Sequence, residues 1–293
     1  GTKKVMSPNL IRQFFRFAEN ECRHDPTKYQ DLCFLTLTFF CFVRTEEAEK
    51  AEWSQLKKNQ RLNDEAPDRS SWTITIWADE EKTDKDKINP IPDCAKYWLS
   101  LCEKHRDKTS DKMVAANCHD RAKNLRKRFR DHYKETFGEE INVPQNTGRH
   151  SACVYHLGLY DNYPLTVKRL NHGTVSTMRN NYEAVVDFTK SKKFYNIYPE
   201  AETQRRSKLR KQKFDSFWQS KGFENLRGVY YFMSISNEGK RIFTDLMLKA
   251  GVSEIEIEDS LREKNPIEVN GKLFIYDSER DMEFFVRNIQ NSI

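Results

Sequence analysis

Apolar and polar positions along the chain predict a run of helices interrupted once by extended segments. Behind a Ser7-Pro8 start, Leu10, Ile11, Phe14, Phe15 and Ala18 recur at helical spacing and predict an amphipathic helix over Ser7 to Glu19. From about Lys28 to Val43 most positions are apolar, which predicts a helix buried on all sides. Its apolar core from Leu32 to Val43 contains Thr36 and Thr38 and falls short of the ~20 residues a bilayer span needs. Arg44 to Trp53 reads as a further short helical stretch. Ser71 to Trp77 then alternates β-branched and aromatic residues, the pattern of a strand. A charged turn follows over Asp79 to Lys87, and Ile88-Asn89-Pro90-Ile91-Pro92 reads as a second extended piece ended by its prolines. Helical patterns resume at Cys94 to His105, Met113 to Phe137, Arg149 to Tyr160, Pro164 to Asn171 and Ser176 to Ala184.

Beyond Lys190 the composition shifts. A basic run, Arg205-Arg206-Ser207-Lys208-Leu209-Arg210-Lys211-Gln212-Lys213, suits a helix or linker at a domain boundary. Two helices are expected at about Lys240 to Ala250 and Ser253 to Lys264. A hairpin is expected around Asn270-Gly271 between Ile267 and Tyr276, and a closing helix after it. Helix, helix and hairpin have the outline of a winged helix, although acidic charge there argues against a surface facing phosphates. The expected organisation is a mainly α domain with a small antiparallel β-sheet over 1–199, a basic connector over 200–221, and a small α+β C-terminal domain over 222–293.

Composition narrows the function classes. Hydrophobic residues at 37% and aromatics at 12% supply a core, which excludes a wholly disordered chain. The net charge is +6. Residues 222–293 carry about −4, which leaves about +10 on the front 221 residues and points that part toward a polyanion. Seven cysteines, without a CxxC pair or a Cys/His ladder, predict neither a disulfide framework nor a zinc site. A reducing, cytoplasmic compartment is the expectation, and no secretory h-region is visible. With 10 glycines in 293 residues and no Gly-rich phosphate loop, ATP use is not expected.

Three separated patches carry candidate chemistry. The first is Arg44-Thr45-Glu46-Glu47, with Trp53 nine residues past the arginine. The second is Asn146-Thr147-Gly148-Arg149-His150-Ser151. The third is Leu170-Asn171-His172, followed ten residues after the histidine by Tyr182. Their order, with a strand pair between the first two, resembles the tyrosine recombinase (phage integrase) family over roughly residues 7–199. The departures are Asn146 in place of His or Lys, Asn171 in place of Gly, Gly148 in place of an apolar residue, and a His-to-Tyr interval one longer than the commonest. A subset of bacterial integrases shares that Asn, that interval, and a tail similar to Phe194-Tyr195-Asn196-Ile197-Tyr198-Pro199. The family places a helical core-binding domain before the catalytic one; the first helix here begins at about residue 7, so that half of a DNA clamp is expected to be absent from this chain.

The resemblance implies the tyrosine recombinase catalytic fold and metal-free, cofactor-free DNA strand transfer. Tyr182 is the implied nucleophile, giving a 3′-phosphotyrosyl intermediate. Arg44 and Arg149 are implied to hold the scissile phosphate, since forked guanidiniums match its oxygens and stay charged. Lys82 is the best match to the general acid for the 5′-oxygen, with Lys85 and Lys87 as rivals. His172 is implied to bond the phosphate or accept the tyrosyl proton. Asn146 can donate to a phosphate oxygen but cannot shuttle a proton. Glu47 is expected to orient a cation without reacting, and His150 to serve the helix start. Arg121, Lys123, Arg126, Lys127 and Arg130, on one basic helix, are candidates to track phosphates, or form a solvated face. The implied partners are double-stranded DNA and further copies of the chain, four on two duplexes, as in integration or excision of a mobile element. Two other readings use the same residues: a DNA-binding regulator that has lost catalysis, and a topoisomerase-like relaxer.

Overall fold

The computed structural model describes residues 5–59, 72–77, 86–170, 175–176, 188–219, 229–233, 237–263, 265, 267–269 and 272–277. The chain divides into two compact units, Gly1–Arg206 and Ser207–Ile293.

The first unit is built around one helix. α1 (Pro8–His24) starts on the Ser7 hydroxyl, which accepts from the Leu10 N–H at 3.2 Å. Its buried face is Ile11, Phe14, Phe15, Ala18 and Cys22. α2 (Tyr29–Phe40) is buried on nearly every side, and Leu32, Cys33, Leu35, Leu37, Phe39 and Phe40 form its apolar bulk. Its two internal threonines are accommodated because Thr36 Oγ1 donates to Leu32 O at 2.8 Å and Thr38 Oγ1 to Phe34 O at 3.0 Å. Around α2 pack α1, α4 (Asp93–Lys104), α5 (Cys118–Phe137) and α6 (Thr147–Tyr160). The core is aromatic: Phe15 lies 5.6 Å from Phe39, 5.2 Å from Phe40 and 5.1 Å from Trp98, and Phe14 stacks on Phe129 at 4.7 Å.

Short elements complete the unit: α3 (Thr45–Lys50), α7 (Tyr163–Leu170) and α8 (Phe188–Tyr195). Phe194 of α8 stacks on Tyr155 at 4.5 Å and lies tilted 4.9 Å from Phe40, and the Trp98 indole donates to Ile197 O at 2.8 Å. The tail motif at 194–199 is therefore core material in this fold.

The sheet has three antiparallel strands in the order β1 (Leu56–Lys58), β2 (Trp72–Ile76), β3 (Lys87–Pro90). Ile74 faces Leu56 on one side and Asn89 on the other, and Ile76 faces Lys87. β1 was not expected, because three residues reading Leu-Lys-Lys carry no alternation. α5 also begins five residues later than the pattern suggested. The segment ahead of it is tied to the chain after α3, with Trp53 N–H bonded to Asp111 O at 2.8 Å and Met113 N–H to Ala51 O at 2.9 Å.

α9 (Glu200–Gln219) is one continuous helix over most of the expected connector, and the boundary between the units falls inside it. Its first turns belong to the first unit: Glu19 accepts from the Glu200 N–H at 3.1 Å, and Arg206 reaches Asp93 at 2.7 Å while lying 3.8 Å over the Tyr198 ring. The second unit contains β4 (Val229–Met233), α10 (Asn237–Lys249), α11 (Glu254–Glu263), β5 (Ile267–Val269) and β6 (Lys272–Asp277). The hairpin forms as expected, with Val269 opposite Lys272. β4, which was not expected, adds in parallel to β6. Phe243, Met247, Ile257, Ile267, Phe274 and Tyr276 form its core. The expected closing helix lies outside the described residues, as does the helix expected over Ser176 to Ala184 beyond its first residue, whereas α8 was not expected. Mainly helical with a small antiparallel sheet, followed by a small α+β unit, is the class the sequence pattern called for.

Candidate functional site

The site begins where α2 ends. Four residues, Cys41 to Arg44, join α2 to α3, and Phe42 among them takes a left-handed backbone with φ 60. That conformation costs a residue with a Cβ roughly 1–2 kcal/mol, so the surroundings must hold it. They do so at the carbonyls. Phe42 O accepts from Lys87 Nζ at 3.0 Å and from Arg149 Nη1 at 2.6 Å. Cys41 O accepts from Asn89 Nδ2 at 2.8 Å. Lys87 and Asn89 alternate on one face of β3, so a single strand edge delivers both donors. The Phe42 ring packs with Ala152, Cys153, Val154 and Leu170.

Arg44 is the residue before α3, and its own backbone N–H donates to Glu47 Oε2 at 2.7 Å. Its guanidinium pairs with Glu47 Oε1. Glu47, 1% exposed, is thus the hub of the cluster: Lys87 Nζ stands 3.4 Å and Arg149 Nη1 4.0 Å from its Oε2. Burial alone would push the Glu47 carboxyl up. The charge of Lys87, the Arg44 N–H and the two guanidiniums outweigh it and hold the group below the usual carboxylate range. Three cations therefore face one carboxylate.

Arg149 sits in the first turn of α6 and ties two elements together, because its Nη2 donates to the carbonyl of Leu170 at the end of α7. Its approach depends on Gly148. A Cβ at that position would stand 2.8 Å from Thr38 Oγ1 and 3.2 Å from Phe39 Cδ2, so α6 lies against α2 as closely as a glycine permits. This accounts for a glycine at position 148. Asn146 is exposed at the N-cap of the same helix, one turn ahead of Arg149. The side chains of Arg44 and Arg149 remain 20% and 13% exposed, whereas that of Lys87 is only 4% exposed. Lys82, Lys85, Asn171, His172 and Tyr182 lie outside the described residues.

Behind Leu170 a second polar group is buried. Thr166 Oγ1 donates to Asn162 O at 2.9 Å, so the 2.7 Å contact with His156 Nδ1 requires the imidazole to donate. Burial, with the nearby charge of Arg169, pushes His156 down to about 3, which keeps it neutral. Arg169 itself is buried. None of these was a sequence candidate, since a His, a Thr and an Arg scattered over two helices carry no local signal.

The basic helix α5 divides into two faces. Arg121 turns inward, with Nε 2.5 Å from Asp31 and Nη2 3.0 Å from Thr27 O, so it is committed to packing. Arg128 makes a fork-to-fork pair with Glu21 at 2.7 and 2.8 Å. Lys123, Lys127 and Arg130 are exposed at i, i+4 and i+7. Arg126 is half-buried, and burial with the charge of Arg130 lowers its pKa. All seven cysteines are buried free thiols. Among the described residues no group of three or more His, Cys, Asp or Glu side chains could hold a metal ion, and no helix is long and apolar enough to cross a membrane.

No family model matches the chain, and no curated protein matches it. Solved structures do. The chain is similar to two recombinases and a transposon integrase. A XerA recombinase aligns at 15% identity and TM-score 0.45, covering 67% of this chain and 65% of that one. A XerH site-specific recombinase, bound to its difH substrate in a pre-cleavage complex, aligns at 11% identity and TM-score 0.44, with coverage of 70% and 53%. The Tn1549 transposon integrase, in complex with circular intermediate DNA, aligns at 12% identity and TM-score 0.45, covering 66% and 64%. This chain therefore spans between 53% and 65% of the length of these three proteins.

Proposed function

We propose that the chain is a DNA strand transferase of the tyrosine recombinase type. One observation carries the reading: Arg44, from the turn that follows α2, and Arg149, from the first turn of α6, converge on Glu47 at the Phe42 turn, partly exposed and held by a buried carboxylate. A paired guanidinium site with a fixed carboxylate beneath it suits the non-bridging oxygens of a phosphodiester, where negative charge grows in the transition state.

In this reading Tyr182 attacks the scissile phosphorus and forms the phosphotyrosyl bond as the P–O5′ bond breaks. The tyrosyl proton passes to His172, and Lys82 gives a proton to the leaving 5′-oxygen. Asn146 donates to a phosphate oxygen from the start of α6. A 5′-hydroxyl of a partner strand reverses the step, so phosphodiester energy is conserved and no cofactor is consumed. The exposed side chains Lys123, Lys127 and Arg130, with Arg126 beside them, track the duplex backbone, and further copies of the chain complete the assembly on DNA.

Covalent trapping tests this. The protein is incubated with nicked duplexes from the ends of the genetic element that encodes it, and an SDS-resistant adduct is sought with wild type and Tyr182→Phe. An adduct lost in the variant supports the strand transferase and its nucleophile. An adduct that persists moves the nucleophile to another residue, with Tyr195 and Tyr198 next. Binding without an adduct leaves a DNA-binding regulator, the reading toward which the non-shuttling amide of Asn146 points.

A further inference from the structure

Resting on the strand-transfer reading, we propose that Lys87 is a positioning residue for the arginine pair: a buried ammonium that fixes the Phe42 carbonyl and the Glu47 carboxylate so that Arg44 and Arg149 point at a common phosphate. Lysine is among the side chains least often buried, and burying one without compensation is costly. Here its side chain is 4% exposed on a strand that also buries Asn89. Both side chains reach from β3 to the same four-residue turn, Lys87 to Phe42 O at 3.0 Å and Asn89 to Cys41 O at 2.8 Å. That turn contains the left-handed Phe42 and leads directly into Arg44.

The charge geometry gives Lys87 a second task. Its Nζ lies 3.4 Å from Glu47 Oε2, nearer than Arg149 Nη1 at 4.0 Å. While Lys87 occupies that oxygen, Arg149 keeps its bond to Phe42 O, and the carboxylate does not draw the guanidinium inward. With an apolar side chain at position 87, Oε2 becomes open to Arg149, which is then pulled from the carbonyl toward the acid. Lys87 is thereby removed from the rivals for general acid, because an ammonium held on two buried acceptors does not reach a leaving 5′-oxygen.

Sulfur substitution separates the two roles. Nicked duplexes from the ends of the encoding element are prepared with oxygen or sulfur at the bridging 5′ position. A thiolate leaves without being protonated, so loss of a general acid is repaired by sulfur and loss of positioning is not. Lys87→Met is expected to lower single-turnover adduct formation about 100-fold on both substrates, the loss typical of a misplacement near 1 Å. Lys82→Met is expected to lose cleavage on oxygen and recover it on sulfur. Lys87→Gln, which keeps one donor for Phe42 O and loses the charge, is read in the same way should the methionine variant fail to fold. Recovery of either Lys87 variant on sulfur, or wild-type rates on oxygen, overturns the proposal. A wild-type protein that forms no adduct on either duplex defeats the strand-transfer reading itself, and the positioning role with it.

Discussion

Gly148 lies so close to Thr38 that a methyl group on the glycine would stand 2.8 Å from the threonine hydroxyl. The hydroxyl cannot simply swing aside, since it donates to Phe34 O at 3.0 Å and approaches Leu35 O at 3.2 Å. The helix carrying Arg149 is thereby held against the helix that ends in the Phe42 turn.

Gly148→Ala consequently opposes two effects. Alanine gains roughly 1 kcal/mol of helix propensity over glycine, while overpacking costs about 1–3 kcal/mol. The expected net result is destabilisation by urea denaturation and slower strand cleavage, as Arg149 moves away from Phe42 O. Combining it with Thr38→Ala is expected to recover most of the stability, and a strictly additive double mutant would show that the contact is not tight.

Arg121 and the exposed cations of α5 are expected to behave oppositely. Arg121→Ala leaves Asp31 buried without its partner and is expected to cost about 1–3 kcal/mol, less than for a fully buried pair because the arginine is partly exposed. The salt dependence of DNA affinity is expected to stay unchanged. Lys127→Ala and Arg130→Ala are expected to leave the urea midpoint in place and each reduce the slope of log K against log salt by about 1. Salt titrations on a fixed duplex, run beside urea curves, compare the two classes directly.

Acid sensitivity is expected to come partly from His156. Its folded pKa is about 3 against an ordinary value of 6.5, so between those limits the unfolded chain binds a proton the folded chain does not. Stability is therefore expected to fall as the pH drops below about 6.5 and to go on falling toward about 3. A His156→Gln variant, less stable at neutral pH, is expected to show a shallower acid slope. Equal slopes for variant and wild type would place the sensitivity elsewhere.

Glu47 acts in a lower pH window. Its folded pKa lies below the ordinary 4.5, so its contribution is complete above that value and disappears as pH falls through the lower, folded one. Glu47→Gln leaves Lys87 buried beside an amide and is expected to cost about 3–5 kcal/mol. Adding Lys87→Met is expected to return part of that loss. A double-mutant cycle by urea denaturation measures the coupling, and a coupling near zero would mean the two groups do not share charge.

The order of α1 to α7, the buried α2 and the pairing of β2 with β3 were all legible in the sequence. Each follows from the period of apolar residues within one segment, a local property of the chain. The order of the three motif patches was read from their resemblance to a known family and not from apolar period, and the turn expected at Asn270-Gly271 lies outside the described residues. The tertiary structure alone decided which charges face inward. Lys87 and Glu47 are 40 residues apart, and Arg121 and Asp31 are 90 apart. A lysine in a charged turn and an arginine on a basic helix look solvated until another element supplies a buried acceptor. β1 and β4 are similar cases, being strands through the partners they find and not through alternation of their own. The same holds for Gly148, whose missing side chain acquires meaning only where α6 meets Thr38. Residue type and period are written locally, whereas desolvation and pairing depend on which distant segment arrives.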